Sequence, residues 1–313
     1  MILNNIYNND SIIQLKEFPD NSIDMILTSP PYDDLRFYGS DKKGVDSLWN
    51  FEVFKKIAKE CSRVLKDGGV IVWVVNDSTI KESETGTSFK QALYFKDECN
   101  LKLFDTMIYS KSSFAYPSKN KYHQLFEYMF VFSKGNPKTF NPIEDRINKY
   151  FNVKRWGKYT TRLKDGTLEN VISKDFAVIS KQFFGKRNNI WQYSAGSNVS
   201  TSDKIAFEHP AIFPEALAID NILSWTNEND IVLDPFCGSG TTVKAAKVLK
   251  RKFIGIEINK DYIPIIEERL KIADSIDVEK YTSHLNVTKE KVIKKLKKEI
   301  KEKEDLIKRL ESL

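Results

Sequence analysis

Short apolar runs that alternate with helical patterns constrain the fold of this chain most strongly. The clearest run covers residues 70–75, which are β-branched apart from Trp73 and follow Gly69 directly. Such a run is typical of a strand that is buried on both faces, as in a parallel sheet. Another apolar run lies earlier in the chain, at residues 23–27. Between the two runs, residues 48–65 are predicted to form a helix that ends at the sequence Asp-Gly-Gly. The order strand, helix, strand predicts a βαβ unit.

The same alternation continues along the chain. A second helix is predicted for residues 88–99, and strands are predicted for residues 101–109 and 126–132. Near the start, a short strand and a turn lead into a brief helix that Asp10 or Ser11 caps. These elements predict an α/β fold with a doubly wound, mostly parallel sheet, of which residues 1–135 form the first half.

A second strand, turn and helix occupy residues 231–242. The strand ends at Asp234, a turn with two glycines follows, and the helix begins at Thr241. Glu257 ends the next apolar strand, roughly 20 residues further on, where a carboxylate can bind both hydroxyls of a ribose. Asp234 would repel a pyrophosphate but suits S-adenosylmethionine, which is cationic and carries no phosphate. The glycine loop lacks the Gly-Lys-Ser/Thr of a phosphate-binding loop, which excludes that class.

The strand at residues 23–27 is followed by a proline loop with the sequence Thr-Ser-Pro-Pro-Tyr, residues 28–32. Two consecutive prolines stiffen the backbone and remove two N–H donors, so the carbonyls of Ser29 and Pro30 can stand free as acceptors. With the Ser29 hydroxyl and the Tyr32 ring, these acceptors suit the exocyclic amine of a base that has left the duplex. A structural polyproline turn, or a ligand for an aromatic groove, is the alternative interpretation.

The two motifs together resemble those of the DNA amino-methyltransferases. S-P-P-Y at residues 29–32 resembles their catalytic motif, and D-P-F-C-G-S-G-T-T at residues 234–242 resembles their cofactor motif. The proline motif comes first, as in the permuted β-type of the family, and the resemblance covers residues 1–272. It implies a Rossmann-like methyltransferase of restriction-modification type. Such an enzyme methylates a flipped base of double-stranded DNA and uses S-adenosylmethionine as cofactor.

The resemblance also implies roles for individual residues. The catalytic residues would be Ser29, Pro30, Pro31 and Tyr32. The cofactor-binding residues would be Asp10, Thr28, Phe213, Asp234, Phe236, Gly238, Gly240, Thr241 and Glu257. Phe213 belongs to an H-P-A-x-F-P element, in which His209 is expected to be a turn residue rather than a general base. No strong general base is predicted near Ser29.

Basic residues concentrate in the middle of the chain, although the net charge of the whole is only +6. Residues 136–207 contain 13 Lys and Arg against 6 Asp and Glu, which gives 13 − 6 = +7, and aromatic residues are interleaved with them. This mixture favours a target-recognition insert that contacts phosphates and bases, with an ordinary loop-rich subdomain as the alternative. The predicted DNA-binding residues are Lys154, Arg155, Lys158, Arg162, Lys186 and Arg187.

Residues 208–272 would form the cofactor-binding half of the core, and residues 273–313 a charged helical tail. The tail carries a heptad seam at Ile293, Leu296, Ile300, Lys303, Ile307 and Leu310. This seam is compatible with a coiled coil that makes a homodimer, and equally with a solvated helix that packs on its own domain.

Cysteine spacing and hydropathy narrow the class of protein further. Cys61, Cys99 and Cys237 lack the paired spacing of zinc or redox sites, so they are predicted to be reduced and no metal is expected. No apolar run approaches the roughly 20 residues that a bilayer requires, and the first residues do not resemble a signal peptide. We therefore expect a cytoplasmic protein without a membrane partner.

Ser29 decides the predicted target base. Among the resembling enzymes, Ser before P-P-Y goes mainly with cytosine, whereas Asp or Asn goes mainly with adenine. A neutral serine can also donate its hydrogen to a ring acceptor beside the amine, which an ionised aspartate cannot. We predict cytosine-N4 methylation, with adenine N6 as the alternative. A non-catalytic DNA-binding subunit and a protein-glutamine methyltransferase are further alternatives, and a cognate restriction endonuclease is compatible with the resemblance.

Overall fold

The computed structural model describes residues 1–32, 49–112, 120–178, 181–194, 196 and 199–311. Two compact units are present. The first combines Met1–Asn141 with Asn189–His284, and the second combines Pro142–Asn188 with Leu285–Leu313.

The strands and helices of the described residues are numbered along the chain. The strands are β1 (Asn5–Asn8), β2 (Ile23–Thr28), β3 (Leu65–Val75), β4 (Thr79–Ile80), β5 (Ser83–Glu84), β6 (Lys102–Lys111), β7 (Phe126–Ser133), β8 (Arg146–Ile147), β9 (Lys154–Arg162), β10 (Leu168–Val178), β11 (Phe184–Gly185), β12 (Ile190–Tyr193), β13 (Ile231–Asp234) and β14 (Lys252–Glu257). The helices are α1 (Ser11–Lys16), α2 (Phe51–Val64), α3 (Thr87–Asp97), α4 (Glu215–Trp225), α5 (Thr241–Val248), α6 (Ile263–Ala273), α7 (Val278–Tyr281) and α8 (His284–Glu311). Short 3₁₀ turns lie at Lys204–Glu208 and Lys260–Tyr262.

An eight-stranded sheet in the order β1-β14-β13-β2-β3-β7-β6-β12 forms the centre of the first unit. Its neighbouring strands pair in parallel except that β7 runs antiparallel to both β3 and β6. The structure describes no helix between β6 and β7, and a parallel pair requires a long crossover that is usually helical. The predicted α/β fold with a mostly parallel sheet is confirmed. Strand β13 pairs with β2 through Val232 and Met25, so the strands that precede the two motifs are neighbours in the sheet.

Helix α2 shows how local sequence fixes these elements. Asn50 caps it by accepting hydrogen bonds from the backbone N–H groups of Glu52 and Val53, at 2.9 and 3.0 Å. Its buried face consists of Phe54, Ile57, Ala58, Cys61 and Val64. The predicted helix over residues 48–65 was too long at its end, and residue 48 lies outside the described residues. Residues 65–69 belong to β3, where Gly68 takes a φ of +77° and donates its N–H to the carbonyl of Lys134.

The first unit includes residues that the sequence pattern had assigned to the basic insert and to the charged tail. Strand β12 pairs in parallel with β6, so residues 189–207 belong to this unit and not to the predicted insert of residues 136–207. Residues 190–193 form a strand although they lie in the basic region. Trp191 and Tyr193 are buried and alternate with exposed neighbours, which is the pattern of a strand. At the other end, α7 and His284 also belong to the first unit, although they were expected in a separate tail.

The second unit contains the β9–β10 hairpin and the short β8–β11 pair. In the hairpin, Lys158 faces Ile172 and Arg162 faces Leu168. No helix among the described residues is long and apolar enough to cross a membrane.

Candidate active site

The predicted site residues converge at one edge of the central sheet. Asp10 follows β1, Ser29 follows β2, Asp234 ends β13 and Glu257 ends β14. Since these strands are parallel, their carboxyl ends lie at the same edge. A cavity of about 640 Å³ lies there, within the usual size of a ligand site. Its lining includes the predicted residues Asp10, Ser29, Pro31, Tyr32, Phe213, Phe236, Gly238, Thr241 and Glu257.

The proline loop forms one part of this lining. The hydroxyls of Ser29 and Tyr32 are hydrogen-bonded at 2.7 Å, and both residues are partly buried. Pro31 lines the cavity beside them, whereas Pro30 is buried and is not among the described lining residues. Three of the four predicted catalytic residues, Ser29, Pro31 and Tyr32, therefore line the cavity.

Sequence reasoning missed a buried carboxylate beside the proline loop. The Tyr32 hydroxyl lies 2.9 Å from Glu127 Oε2, and the other oxygen of Glu127 forms an ion pair with Lys111. Both residues line the same cavity. Lys111 ends β6, while Glu127 is at the start of β7, which reaches this edge because it is the antiparallel strand. An acidic residue within the apolar strand of residues 126–132 was the available signal.

The glycine turn forms the cofactor side of the cavity. Gly238 has a φ of +52° and donates its N–H to Glu257 Oε2 at 2.7 Å, and Asn259 donates to Oε1 at 2.8 Å. Each carboxylate oxygen can accept a second hydrogen bond, so Glu257 can still bind a pair of hydroxyls. Burial raises the pKa of Glu257 to about 7, although the hydrogen bonds from Asn259 and Gly238 lower it.

Three predicted cofactor residues lie behind the lining. Asp234 is 1% exposed and accepts hydrogen bonds from the Thr28 hydroxyl at 2.6 Å and from the Phe236 N–H at 3.0 Å. Burial raises its pKa to about 6, against the effect of these hydrogen bonds. Gly240 takes a φ of +80°, and a Cβ there would lie 3.0 Å from Ile266. Thr28, Asp234 and Gly240 thus stabilise the glycine turn and are not among the described lining residues of the cavity.

Asp10 and His209 each combine a structural contact with a place in the lining. Asp10 caps α1, accepting from the N–H groups of Ile12 at 2.7 Å and Ile13 at 3.3 Å. His209 accepts the Ala211 N–H at 3.1 Å through Nδ1, which is the expected turn.

The charge of the lining fits the predicted cofactor. Its described acidic residues are Asp10, Glu127 and Glu257, and its one described lysine, Lys111, is paired with Glu127. An excess of carboxylates disfavours a pyrophosphate and suits a sulfonium with an ammonium group. The residues present therefore fit S-adenosylmethionine.

A buried ionic network supports the glycine turn, and the sequence did not predict it. Arg269 and Lys244 are fully buried, and both contact Asp203 and Glu215. Arg269 also donates to the Ser239 carbonyl at 2.7 Å and to the Thr241 hydroxyl at 3.0 Å. The two cations of this network are thus matched by two carboxylates. The signal was Lys244, which lies among buried apolar residues of α5.

The predicted DNA-binding residues lie in the second unit. Lys158, Arg162 and Lys186 are exposed, whereas Arg187 donates to Asp145 at 2.9 Å. The side chains of Lys154 and Arg155 lie outside the described residues.

Two solved structures share this fold. The cytosine-N4-specific PvuII DNA methyltransferase is 21% identical, with a TM-score of 0.62 over 90% of this chain and 91% of that one. TTHA0409 of Thermus thermophilus in complex with S-adenosyl-L-methionine is 19% identical, with a TM-score of 0.55 over 86% of this chain and 93% of that one. The fold is thus that of the methyltransferases.

Sequence similarity identifies the family. The orphan methyltransferase M.BamHII of Bacillus amyloliquefaciens is 54% identical over 252 residues, which cover 80% of this chain and 90% of that protein. The DNA methylase family N6_N4_Mtase matches residues 23–268. The chain belongs to this family of DNA methylases, which modify exocyclic amines. The family is dependent on S-adenosylmethionine, so the cofactor prediction is confirmed.

Proposed function

We propose that this DNA methylase transfers a methyl group from S-adenosylmethionine to the N4 amine of cytosine in double-stranded DNA. The observation that carries the choice of base is Ser29, which stands directly before Pro-Pro-Tyr and lines the cavity. Serine at this place goes mainly with cytosine in the resembling enzymes. The fold similarity to the cytosine-N4-specific PvuII enzyme agrees with this choice.

The residues of the glycine turn would hold the cofactor. Glu257 would accept hydrogen bonds from the ribose hydroxyls, Asp10 would bind a polar edge of the adenine, and Phe213 and Phe236 would pack against its faces. Gly238 and Thr241 would border it closely, while Asp234 keeps the turn in place through its bonds to Thr28 and Phe236. When bound, S-adenosylmethionine supplies an electrophilic methyl group.

The residues of the proline loop would hold the base. A base extruded from the duplex would pack on the Tyr32 ring, and its amine would donate a hydrogen to Ser29 Oγ. This contact favours a pyramidal nitrogen, whose lone pair is then available as a nucleophile. The contact strengthens as the nitrogen gains positive charge, so it contributes mainly in the transition state. The methylated nitrogen would then release one proton, to solvent or to Ser29, and become neutral again.

The second unit would bind DNA as a target-recognition region. Its exposed Lys158 and Arg162 are on β9 of a two-stranded ribbon, an element that the major groove can accommodate. Lys154, Arg155 and Lys186 would add contacts to phosphates. We assign Arg187 to the ion pair with Asp145 and not to DNA.

Nucleoside analysis tests the proposal. Duplex DNA is incubated with isotopically labelled S-adenosylmethionine, digested and analysed by mass spectrometry, and we expect labelled N4-methylcytosine. Ser29→Ala should reduce turnover far more than cofactor affinity. Labelled N6-methyladenine alone would overturn the assigned base, and label found only in protein would favour the glutamine alternative. Cofactor binding without any transfer would identify a non-catalytic subunit.

A further inference from the structure

We propose that Glu127, held by Lys111, is a positioning residue that fixes the direction of the hydrogen bond between Ser29 and Tyr32. Ser29 then presents lone pairs, and not its hydrogen, to the amine of the substrate. The inference rests on the proposed function of this site, and it goes further by assigning a role to two residues outside both sequence motifs.

The first step is the direction of the bond from Tyr32. A phenol has one hydrogen, and an ionised carboxylate can only accept. Glu127 is 7% exposed and forms an ion pair with Lys111, and its Oε2 is 2.9 Å from the Tyr32 oxygen. The Val74 carbonyl, 3.3 Å from that oxygen, can also only accept. Tyr32 therefore donates its hydrogen, and the carboxylate of Glu127 is the favoured acceptor because it is charged and closer than the Val74 carbonyl.

The second step is the direction of the bond from Ser29. Since the hydrogen of Tyr32 is directed away, the 2.7 Å contact between the hydroxyls requires Ser29 to donate. The single hydrogen of Ser29 is thereby used, and its two lone pairs are the groups that can accept hydrogen bonds from other partners. This proposal differs from the sequence-based expectation that Ser29 donates its hydrogen to a ring acceptor of the base.

The third step is the consequence for the reaction. Hydrogen bonds in a chain polarise one another, so the Glu127 carboxylate makes Ser29 Oγ a better acceptor. The amine N–H becomes a stronger donor as its nitrogen gains positive charge. Ser29 therefore binds the transition state more tightly than the substrate, and Glu127 contributes to this difference from two hydrogen bonds away.

Glu127→Gln is the informative substitution because it reverses the chain. The ammonium of Lys111 can only donate, so it takes the amide oxygen and leaves the amide NH₂ facing Tyr32. Tyr32 would then accept from the amide, and its hydrogen would have two acceptors, the Val74 carbonyl at 3.3 Å and Ser29 Oγ at 2.7 Å. The shorter contact favours Ser29, which turns the Ser29 hydrogen to the cavity. We expect turnover to fall by about 10²–10³, the usual effect of removing one preorganised hydrogen bond. The affinities for S-adenosylmethionine and DNA should stay within about threefold.

A double-mutant cycle with Tyr32→Phe separates this role from a structural one. Tyr32→Phe interrupts the chain, so Glu127→Gln should have almost no further effect on turnover in the Tyr32→Phe background. Thermal unfolding of all variants serves as the control for folding. Turnover of Glu127→Gln within about threefold of wild type, or equal effects of Glu127→Gln in both backgrounds, would overturn the inference. The cycle is measured on whichever DNA amine the wild type methylates, so adenine as product would refute only the assigned base. A wild type that methylates no DNA amine would refute the proposed function, and this inference with it.

Discussion

Arg269→Met should be among the most destabilising single substitutions in this chain. Arg269 is fully buried, and its side chain contacts Asp203 and Glu215 as well as the Ser239 carbonyl. Methionine has a similar length but no charge or donor, so the network would keep one lysine against two buried carboxylates. Breaking a buried ion pair by removing one partner costs about 3–5 kcal/mol. The free energy of unfolding of a domain is only about 5–15 kcal/mol, so this substitution would remove a large fraction of it.

Urea unfolding followed by tryptophan fluorescence measures this cost. Lys55→Met is a matched control, because Lys55 forms an i,i+3 pair with Glu52 at the surface, where such a pair is worth about 0–1 kcal/mol. Adding Glu215→Gln to Arg269→Met restores the balance of charge and should recover part of the lost stability. A cost for Arg269→Met no larger than that of the control, or a double variant that is simply additive, would refute the role of the network.

The remaining predictions concern the cofactor, the tail and DNA. Because burial raises the pKa of Glu257 to about 7, this carboxyl is protonated below pH 7 and ionised above it. Cofactor affinity measured by calorimetry should therefore rise between pH 6 and 8, and Glu257→Gln should flatten this rise, whereas the same slope in both proteins would count against Glu257. Removing residues 286–313 should leave the unfolding free energy of the first unit unchanged. Removing residues 281–313 should lower it, because it deletes His284, which lies 2.7 Å from the fully buried Asp220. Light scattering of both truncated proteins gives the number of subunits. If this number is the same as for the full chain, the heptad seam of the tail is not the cause of a homodimer. Lys158→Gln with Arg162→Gln should reduce the slope of DNA affinity against salt concentration by about 2, and an unchanged slope would exclude phosphate contacts by this pair.

Contiguous sequence predicted the parts of the site that depend on local geometry. The proline loop and the glycine turn each follow an apolar strand, so their place at the carboxyl edge could be read from pattern and turn chemistry. Asp234 and Glu257 were found in the same way, as acidic residues that end apolar strands. Their chemical environment was not predictable, because the desolvation that raises both pKa values depends on tertiary packing.

Sequence reasoning missed Glu127 and Arg269, whose partners in the structure are distant in sequence. Glu127 is 95 residues from Tyr32, and Arg269 is 66 residues from Asp203. Neither contact leaves a periodic signal, since each depends on the register and direction of whole elements. The direction of β7 is the clearest case. Only an antiparallel β7 brings the start of that strand, and Glu127 with it, to the edge at which the parallel strands end.

The contact between Thr28 and Asp234 explains how the two separated motifs form one site. Thr28 ends β2 before the proline loop, and Asp234 ends β13 before the glycine turn. Their 2.6 Å hydrogen bond joins residues that are 206 positions apart, and the same carboxylate accepts the Phe236 N–H within the turn. Both bonds involve an oxygen that is almost fully buried, where an unmade hydrogen bond costs about 1–3 kcal/mol. The proline loop, which would carry the base, is therefore fixed against the turn that would carry the methyl donor, and the permuted order of the motifs does not affect their geometry. Neither Thr28 nor Asp234 needs to contact a substrate for this purpose, which accounts for their position behind the lining of the cavity.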